Sequence, residues 1–412
     1  MRNIRIALLL CLFGSSSTLA LADDEPNQGA IETIDLTSTR RVTVHLKSAM
    51  PDAAVDAIAR QCGAATGGTE MRFIKFGPTT GPWSAQLGAH DFDVDNEPLV
   101  KALVRLSEVY DLFQDKQWGE DQIVFSPRRV RNETAQTTQP AKPAALPPMC
   151  FSGPFAVIAR AITRDRQLDP LPNPTVPGAS PVTSNTSISY NLLLQVLAEP
   201  RIAVLQWASQ PAIQTMVDDQ NQVLWNAQQF QIPISFADDN PRPNVPVLFL
   251  SPDSHATRIA KFSGVFQLKV VKRIRRYEWT HLDDGRPRSA IIEGVHVALD
   301  AFEDSAGTPT QQAVINIDRN GIDPGDWQAR MTLIAHGSHL RIYDQSGDVL
   351  SDPFRWYPIT TGLNLQMMVK VAGHGDAAKT IGRAYKLIWD FPVEEGDISV
   401  PFSFKDLPLP PP

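Results

Sequence analysis

From Cys150 onward, apolar residues recur at every second position in short runs, and Pro and Gly clusters separate the runs. Phe155, Val157 and Ala159 alternate with their neighbours, as do Ile188, Tyr190, Leu192 and Leu194. The same rule holds for Phe266, Leu268 and Val270, for Val295, Val297 and Leu299, and for Met331, Leu333 and Ala335. A period of two places such residues on one face of a strand. Many short alternating strands with turn punctuation predict antiparallel sandwiches. One sandwich is expected over 150–245 and a larger one, with an insertion, over 246–412.

Three short segments in this region occur twice, in the same order. Phe151-Ser152-Gly153-Pro154-Phe155 returns as Phe262-Ser263-Gly264-Val265-Phe266. Asp219-Gln220 to Leu224 returns as Asp344-Gln345 to Leu350, and Ile232 to Phe236 echoes Val400 to Phe404. The pairs read as two copies of one module, which suits binding or scaffolding better than a single catalytic centre. Gly153 and Gly264 are expected in tight turns that open a strand, and the Asp-Gln segments in hairpin turns.

The chain begins with Arg2 and Arg5, an apolar run from Ile6 to Phe13, and a small-residue site at Ala20-Leu21-Ala22. This is the pattern of an export signal over residues 1–22, which predicts a periplasmic or extracellular location. No later segment is long and apolar enough to cross a bilayer. Removing residues 1–22 takes away two arginines and no acid, so the formal charge moves from −7 to −9. Nucleic acid is held mainly by basic groups on phosphate, so it is not an expected partner. Cys62 and Cys150 remain. They could pair in an oxidising compartment, or stay as two buried thiols.

After an extension over 23–39, residues 40–127 predict an α+β domain of two strand–helix units. Val42, Val44 and Leu46 alternate on the first strand, and Pro51 and Asp52 open a helix with Ala54, Val55, Ile58, Ala59 and Cys62 on one stripe. Phe92 and Val94 mark the second strand. Asn96 is the expected N-cap, and Leu99, Ala102, Leu103, Leu106 and Val109 form the second stripe. Tyr110–Gln114 and Gln122–Phe125 read as a hairpin turned around Trp118-Gly119-Glu120-Asp121. This doublet ending in a hairpin resembles the short N-terminal domain of secretins and TonB-dependent receptors, the STN domain. The resemblance implies protein contact in the periplasm. The segment Phe76 to His90 is longer than the compact pattern, and no transport role is carried over. With the β-rich remainder, the architecture also resembles that of exported bacterial proteins of no assigned activity.

Residues 128–149 are rich in Pro, Ala, Thr and Gln and predict a linker that tethers the small domain. Candidate chemistry beyond it is sparse. His336 and His339 stand three apart, which on a strand points them to opposite faces. Asp318 to Asp326 offers oxygens for calcium, out of register with an EF-hand, and a Gly/Pro/Asp turn explains the segment without an ion. The adjacent acids Glu394-Glu395 and Asp283-Asp284 form no recognisable acid/base pair. Nucleophile-elbow, zincin, phosphate-loop and dinucleotide motifs do not occur. No catalytic residue, metal or cofactor is therefore assigned.

The expected function is a non-catalytic scaffold that binds an envelope protein or wall polymer. Its candidate surfaces are the strand edge at Val42, Val44, Phe92 and Val94, where an extended partner could add, and the basic run Lys272, Arg273, Arg275 and Arg276. The alternative is a carbohydrate-binding or carbohydrate-active protein with Trp207, Trp225, Trp327 or Trp356 around one cleft.

Overall fold

A computed structural model of the chain describes residues 25–64, 73–75, 88–116, 123–127, 146–168, 186–225, 236–237, 244–304, 310–347, 350, 358–360, 364–372 and 382–410. The described residues are mostly β-strand, with three α-helices. The export signal, most of the linker, Trp118–Asp121 and Ile232–Ser235 lie outside them.

Strand β1 (Asn27–Thr33) precedes a small α+β domain. That domain contains β2 (Arg41–Ala49), α1 (Pro51–Ala64), β3 (Phe73–Lys75), β4 (His90–Pro98), α2 (Leu99–Val109), β5 (Leu112–Lys116) and β6 (Ile123–Pro127). β2 and β4 pair antiparallel, β5 and β6 form the expected hairpin, and β3 runs parallel to β6. Val42, Val44, Phe92 and Val94 meet Ala54, Val55, Ile58 and the α2 residues Leu99, Ala102, Leu103 and Leu106 in one core. Asn96 does not cap α2, contrary to expectation. β4 continues to Pro98, because the residue before a proline is pushed out of the helical region. The Leu99 N–H instead donates to the Arg40 carbonyl at 2.8 Å.

Residues 149–249 supply β7 (Met149–Ser152), β8 (Phe155–Leu168), β9 (Thr186–Ala198), β10 (Val204–Ala208), β11 (Ala212–Asp218), β12 (Phe236–Ala237) and β13 (Asn244–Phe249). Next comes a single long strand, β14 (Arg258–Trp279). β15 (Arg288–Ile292), β16 (Val295–Leu299), β17 (Glu303–Asp304), β18 (Thr310–Asp318), helix α3 (Pro324–Gly337), β19 (His339–Tyr343), β20 (Pro358–Thr360) and β21 (Asn364–Ala372) follow. The last strand, β22 (Lys386–Pro408), is also long.

β14 and β22 pair antiparallel over their whole lengths, from Arg258↔Pro408 to Trp279↔Leu387. They form a spine with a hydrophobic core at each end. In lobe 1, the sheet β13-β9-β8-β7 packs on β10, β11 and one end of the spine. Phe155, Leu192 and Val247 there meet Phe262, Phe266, Phe402 and Phe404. In lobe 2, the sheet of β15 to β18 with β20 and β21 packs on the other end, with α3. Val297, Ile315 and Met367 there meet Trp279, Trp327 and Trp389.

One device keeps a single spine useful to both lobes. From Phe262 on, the β14 residues in the lobe 1 core are even-numbered (Phe262, Phe266, Leu268, Val270), and those in lobe 2 are odd-numbered (Tyr277, Trp279). β22 switches likewise, from Trp389 and Phe391 to Val400, Phe402 and Phe404. The register shifts at Val271/Arg273 and back at Arg273/Ile274. An extra residue on each strand flips side-chain parity, so paired bulges carry both switches with no net slip.

Three expectations about the β-rich region differ from the structure. The cores do not divide the chain at 245/246, because lobe 1 is completed by Ile259–Val270 and Val400–Leu407. The repeated Phe-Ser-Gly segments are not equivalent. Gly153 turns between β7 and β8 with φ +56°, whereas Gly264 lies within β14. The Asp-Gln segments do match, each returning a buried leucine to the strand before it (Leu224 N–H to Met216 and Leu350 N–H to Ile342, both 2.8 Å). Met331, Leu333 and Ala335 belong to helix α3, not a strand. Asp323 caps it by accepting from the Gly325 N–H at 2.8 Å, and Pro324 fills its first turn.

The small domain is also docked rather than merely tethered. Val100 and Val104 on the outer face of α2 pack on Ala156, Ile158 and Leu197 of β8 and β9. Arg160 and Glu108 pair across this contact at 3.4 Å.

Candidate interaction site

At the waist between the lobes, the basic run of β14 faces an acidic run on β22. Lys269 pairs with Glu395 at 3.0 Å, Arg273 with Glu394 at 3.1 Å, and Arg276 with Asp390 at 2.6 Å. Arg275 reaches Glu293 at 2.6 Å, and Arg341 of β19 also pairs with Asp390. Lys272 lies over Gly396. The run is therefore one side of a cross-strand ladder, and its charge is largely matched within the fold.

The edge of β14 at the waist is not bare. β1 lies antiparallel on it, from Asn27↔Glu278 to Thr33↔Arg273, with a bulge between Gln28 and Ile31. Every residue of β1 is exposed. Its attachment therefore depends on main-chain pairing, with one side-chain bond from Gln28 Nε2 to the Tyr277 hydroxyl at 3.4 Å.

Residues 34–40 connect β1 to the small domain and are held by the buried Glu199 and the partly buried Arg201. Glu199, 0% exposed, accepts from the Thr39 hydroxyl and the Arg40 N–H, both at 2.7 Å, and from Arg201 Nε at 2.9 Å. The two remaining Arg201 nitrogens donate to the carbonyls of Asp35 at 2.5 Å and Ser38 at 2.7 Å. Asp35 in turn accepts from the hydroxyls and N–H groups of Ser38 and Thr37. These bonds, the Ser38 hydroxyl first, hold its carboxyl well below the usual carboxylate range.

The expected docking edge at β2 is closed at its centre. The Gln61 amide accepts from the Thr43 N–H at 2.8 Å and donates to the Thr43 carbonyl. Val42, Val44, Phe92 and Val94 point into the core and are not available to a partner.

The other candidates separate in space or serve the fold. His336 ends α3 and His339 begins β19. Asp318 lies 2.7 Å from His296 Nδ1, while Asp323 caps α3. Among the described residues, no group of three His, Cys, Asp or Glu could hold a metal ion. Asp284 pairs with the buried Arg288 at 2.7 Å. Trp207 is in the lobe 1 core and Trp327 in the lobe 2 core, so they share no cleft. Trp225 is half-buried against lobe 1, and Trp356 lies outside the described residues. Cys150 carries a free, half-buried thiol. Burial pushes its pKa up, against backbone N–H groups of Ser403 and Val157 that favour the thiolate.

Tyr277 is raised to about 12, first by burial and then by its hydrogen bond to Glu293. Burial, then the charge of Asp91, raises Tyr110 to about 12 as well. An unfolded tyrosine loses its proton near ~10. Between about 10 and 12 the folded state therefore binds more protons, and stability falls as pH rises through that window. Alkaline absorbance titration is expected to resolve these two of the six tyrosines near 12. Ionisation of all six near ~10 would contradict their burial.

Comparison with protein-family models, with curated proteins and with solved structures gave no match. What the arrangement itself can do is hold extended chain on a sheet edge and pack one domain on another. The residues that do this were partly missed in the sequence. Val100 and Val104 form an i, i+4 apolar pair opposite the core stripe of α2, and Ala156 and Ile158, which stand between Phe155, Val157 and Ala159, are apolar too. Both are signs of burial on a second face. Glu199 and Arg201 stand out as an isolated acid and base between Leu197-Ala198 and Ile202-Ala203.

Proposed function

We propose that this protein is an exported, non-catalytic scaffold of the periplasm or cell envelope that binds an envelope protein or wall polymer. The export reading rests on Arg2, Arg5, the Ile6–Phe13 run and the Ala20–Ala22 site. The observation that carries the binding reading is β1. A strand with no buried side chain is accepted along the β14 edge by main-chain pairing, the mode by which sheets take up extended partners. Lys269, Arg273 and Arg276 of the waist are engaged in cross-strand pairs, which favours a role in architecture over catalysis.

Crosslinking capture from an envelope extract tests the proposal, with the mature chain compared with a chain beginning at Met149. The expected result is an envelope component recovered with the mature chain. If that component is lost along with residues 23–148, the small domain and β1 make the contact. If both chains recover it, the lobes do. Recovery of no envelope component from either chain would overturn the proposal.

A further inference from the structure

We infer that residues 34–40 are a strap that couples β1 and the small domain, so that the two leave the body of the protein together. The strap bonds to three separate parts of the fold. The Ile34 N–H donates to Lys272 on the spine, and the Arg40 carbonyl accepts from Leu99 at the start of α2, both at 2.8 Å. Between these, Thr39 and Arg40 are fixed by Glu199, and Asp35 and Ser38 by Arg201, on lobe 1.

Glu199 and Arg201 are satisfied only together. A buried carboxylate with part of its bonds missing carries its full desolvation penalty, so the anchor is either complete or open. Gly153 adds to the fit, since a Cβ there would lie 3.0 Å from the Leu36 carbonyl and 3.1 Å from that of Thr37. Ile34 and Leu36 pack on lobe 1 beside the anchor, so opening it lifts these side chains with it, and frees the end of β1 and the Arg40 carbonyl that receives the first N–H of α2. β1 has no buried side chain to hold it independently. A pull on the small domain therefore reaches the spine edge through seven residues. This rests on the scaffold reading only for its use, since a partner on the small domain would bare the β14 edge. The coupling itself is tested without any partner.

The test uses the mature chain carrying Ala156→Cys, a position fully buried under α2. Peptide-resolved thiol labelling at that site reports undocking of the small domain. Hydrogen exchange over residues 27–33 reports release of β1, and exchange over 259–270 reports the lobe 1 core. Thr39→Val removes one bond to the Glu199 carboxylate and is expected to speed both labelling and 27–33 exchange by roughly tenfold or more, with 259–270 unchanged. Arg201→Leu is expected to do the same more strongly. Ile31→Pro breaks β1 directly and is expected to speed labelling at the distant Ala156→Cys. If Arg201→Leu also loosens 259–270, the other two variants decide. Acceleration of only one reporter in Thr39→Val, or unchanged labelling in Ile31→Pro, would overturn the coupling.

Discussion

Valine at position 264 is expected to destabilise lobe 1 by about 3 kcal/mol or more. Gly264 sits inside β14 between β11 and β22, directly opposite Phe402. A Cβ there would lie 2.6 Å from the Ala212 carbonyl oxygen and 2.8 Å from the Phe402 ring. Neither neighbour has room to yield. Ala212 is in the paired strand, and the Phe402 ring is fixed by Phe262 at 5.1 Å and Phe266 at 5.4 Å. Interiors packed this densely pass such strain on to their neighbours rather than absorbing it. Denaturant unfolding followed by circular dichroism measures the effect, and a midpoint within error of wild type would show that the spine is looser here than the contacts require.

Trp389→Ala is expected to cost about 3–5 kcal/mol at the other end of the spine. Trp389 is fully buried, 6.2 Å from Trp279 and 5.1 Å from Phe391, ring centre to ring centre. Losing it leaves a cavity where the spine, α3 and the lobe 2 sheet meet. Trp389→Phe is expected to cost much less, because it fills part of the space and drops an indole N–H that has no hydrogen-bond partner among the described residues. Equal losses for the two variants, measured by unfolding, would mean that the ring's size is not what holds lobe 2.

Local structure was legible in the sequence, and assembly much less so. The alternations at Phe155, Ile188, Phe266 and Val295 do mark strands, and the two strand–helix units of the small domain form where they are expected. The pairing of β14 with β22 joins residues more than a hundred positions apart, and alternation carries no information about partners. The doublet Val270-Val271, just before the bulge, marks burial on both faces of β14, with Val270 in the lobe 1 core and Val271 against Ala203, Leu205 and Leu333. Helix α3 was misread because Met331, Leu333 and Ala335 are all buried, which imitates a strand face. The cap and proline at Asp323-Pro324 were the better signal. The basic run could be read as a binding surface only while its acids on β22, 121 and 126 residues downstream in the pairs Arg273–Glu394 and Lys269–Glu395, were out of view.

The shared spine makes the sharpest claim, that lobe 1 is not a consecutive stretch of chain. The amide NMR spectrum of residues 150–245 alone tests it most directly. Without Phe262, Phe266, Phe402 and Phe404, that fragment lacks one wall of its core and is expected to give the narrow dispersion of an unfolded chain. A well-dispersed spectrum, with a cooperative thermal transition, would mean that lobe 1 folds without the spine and would contradict the account.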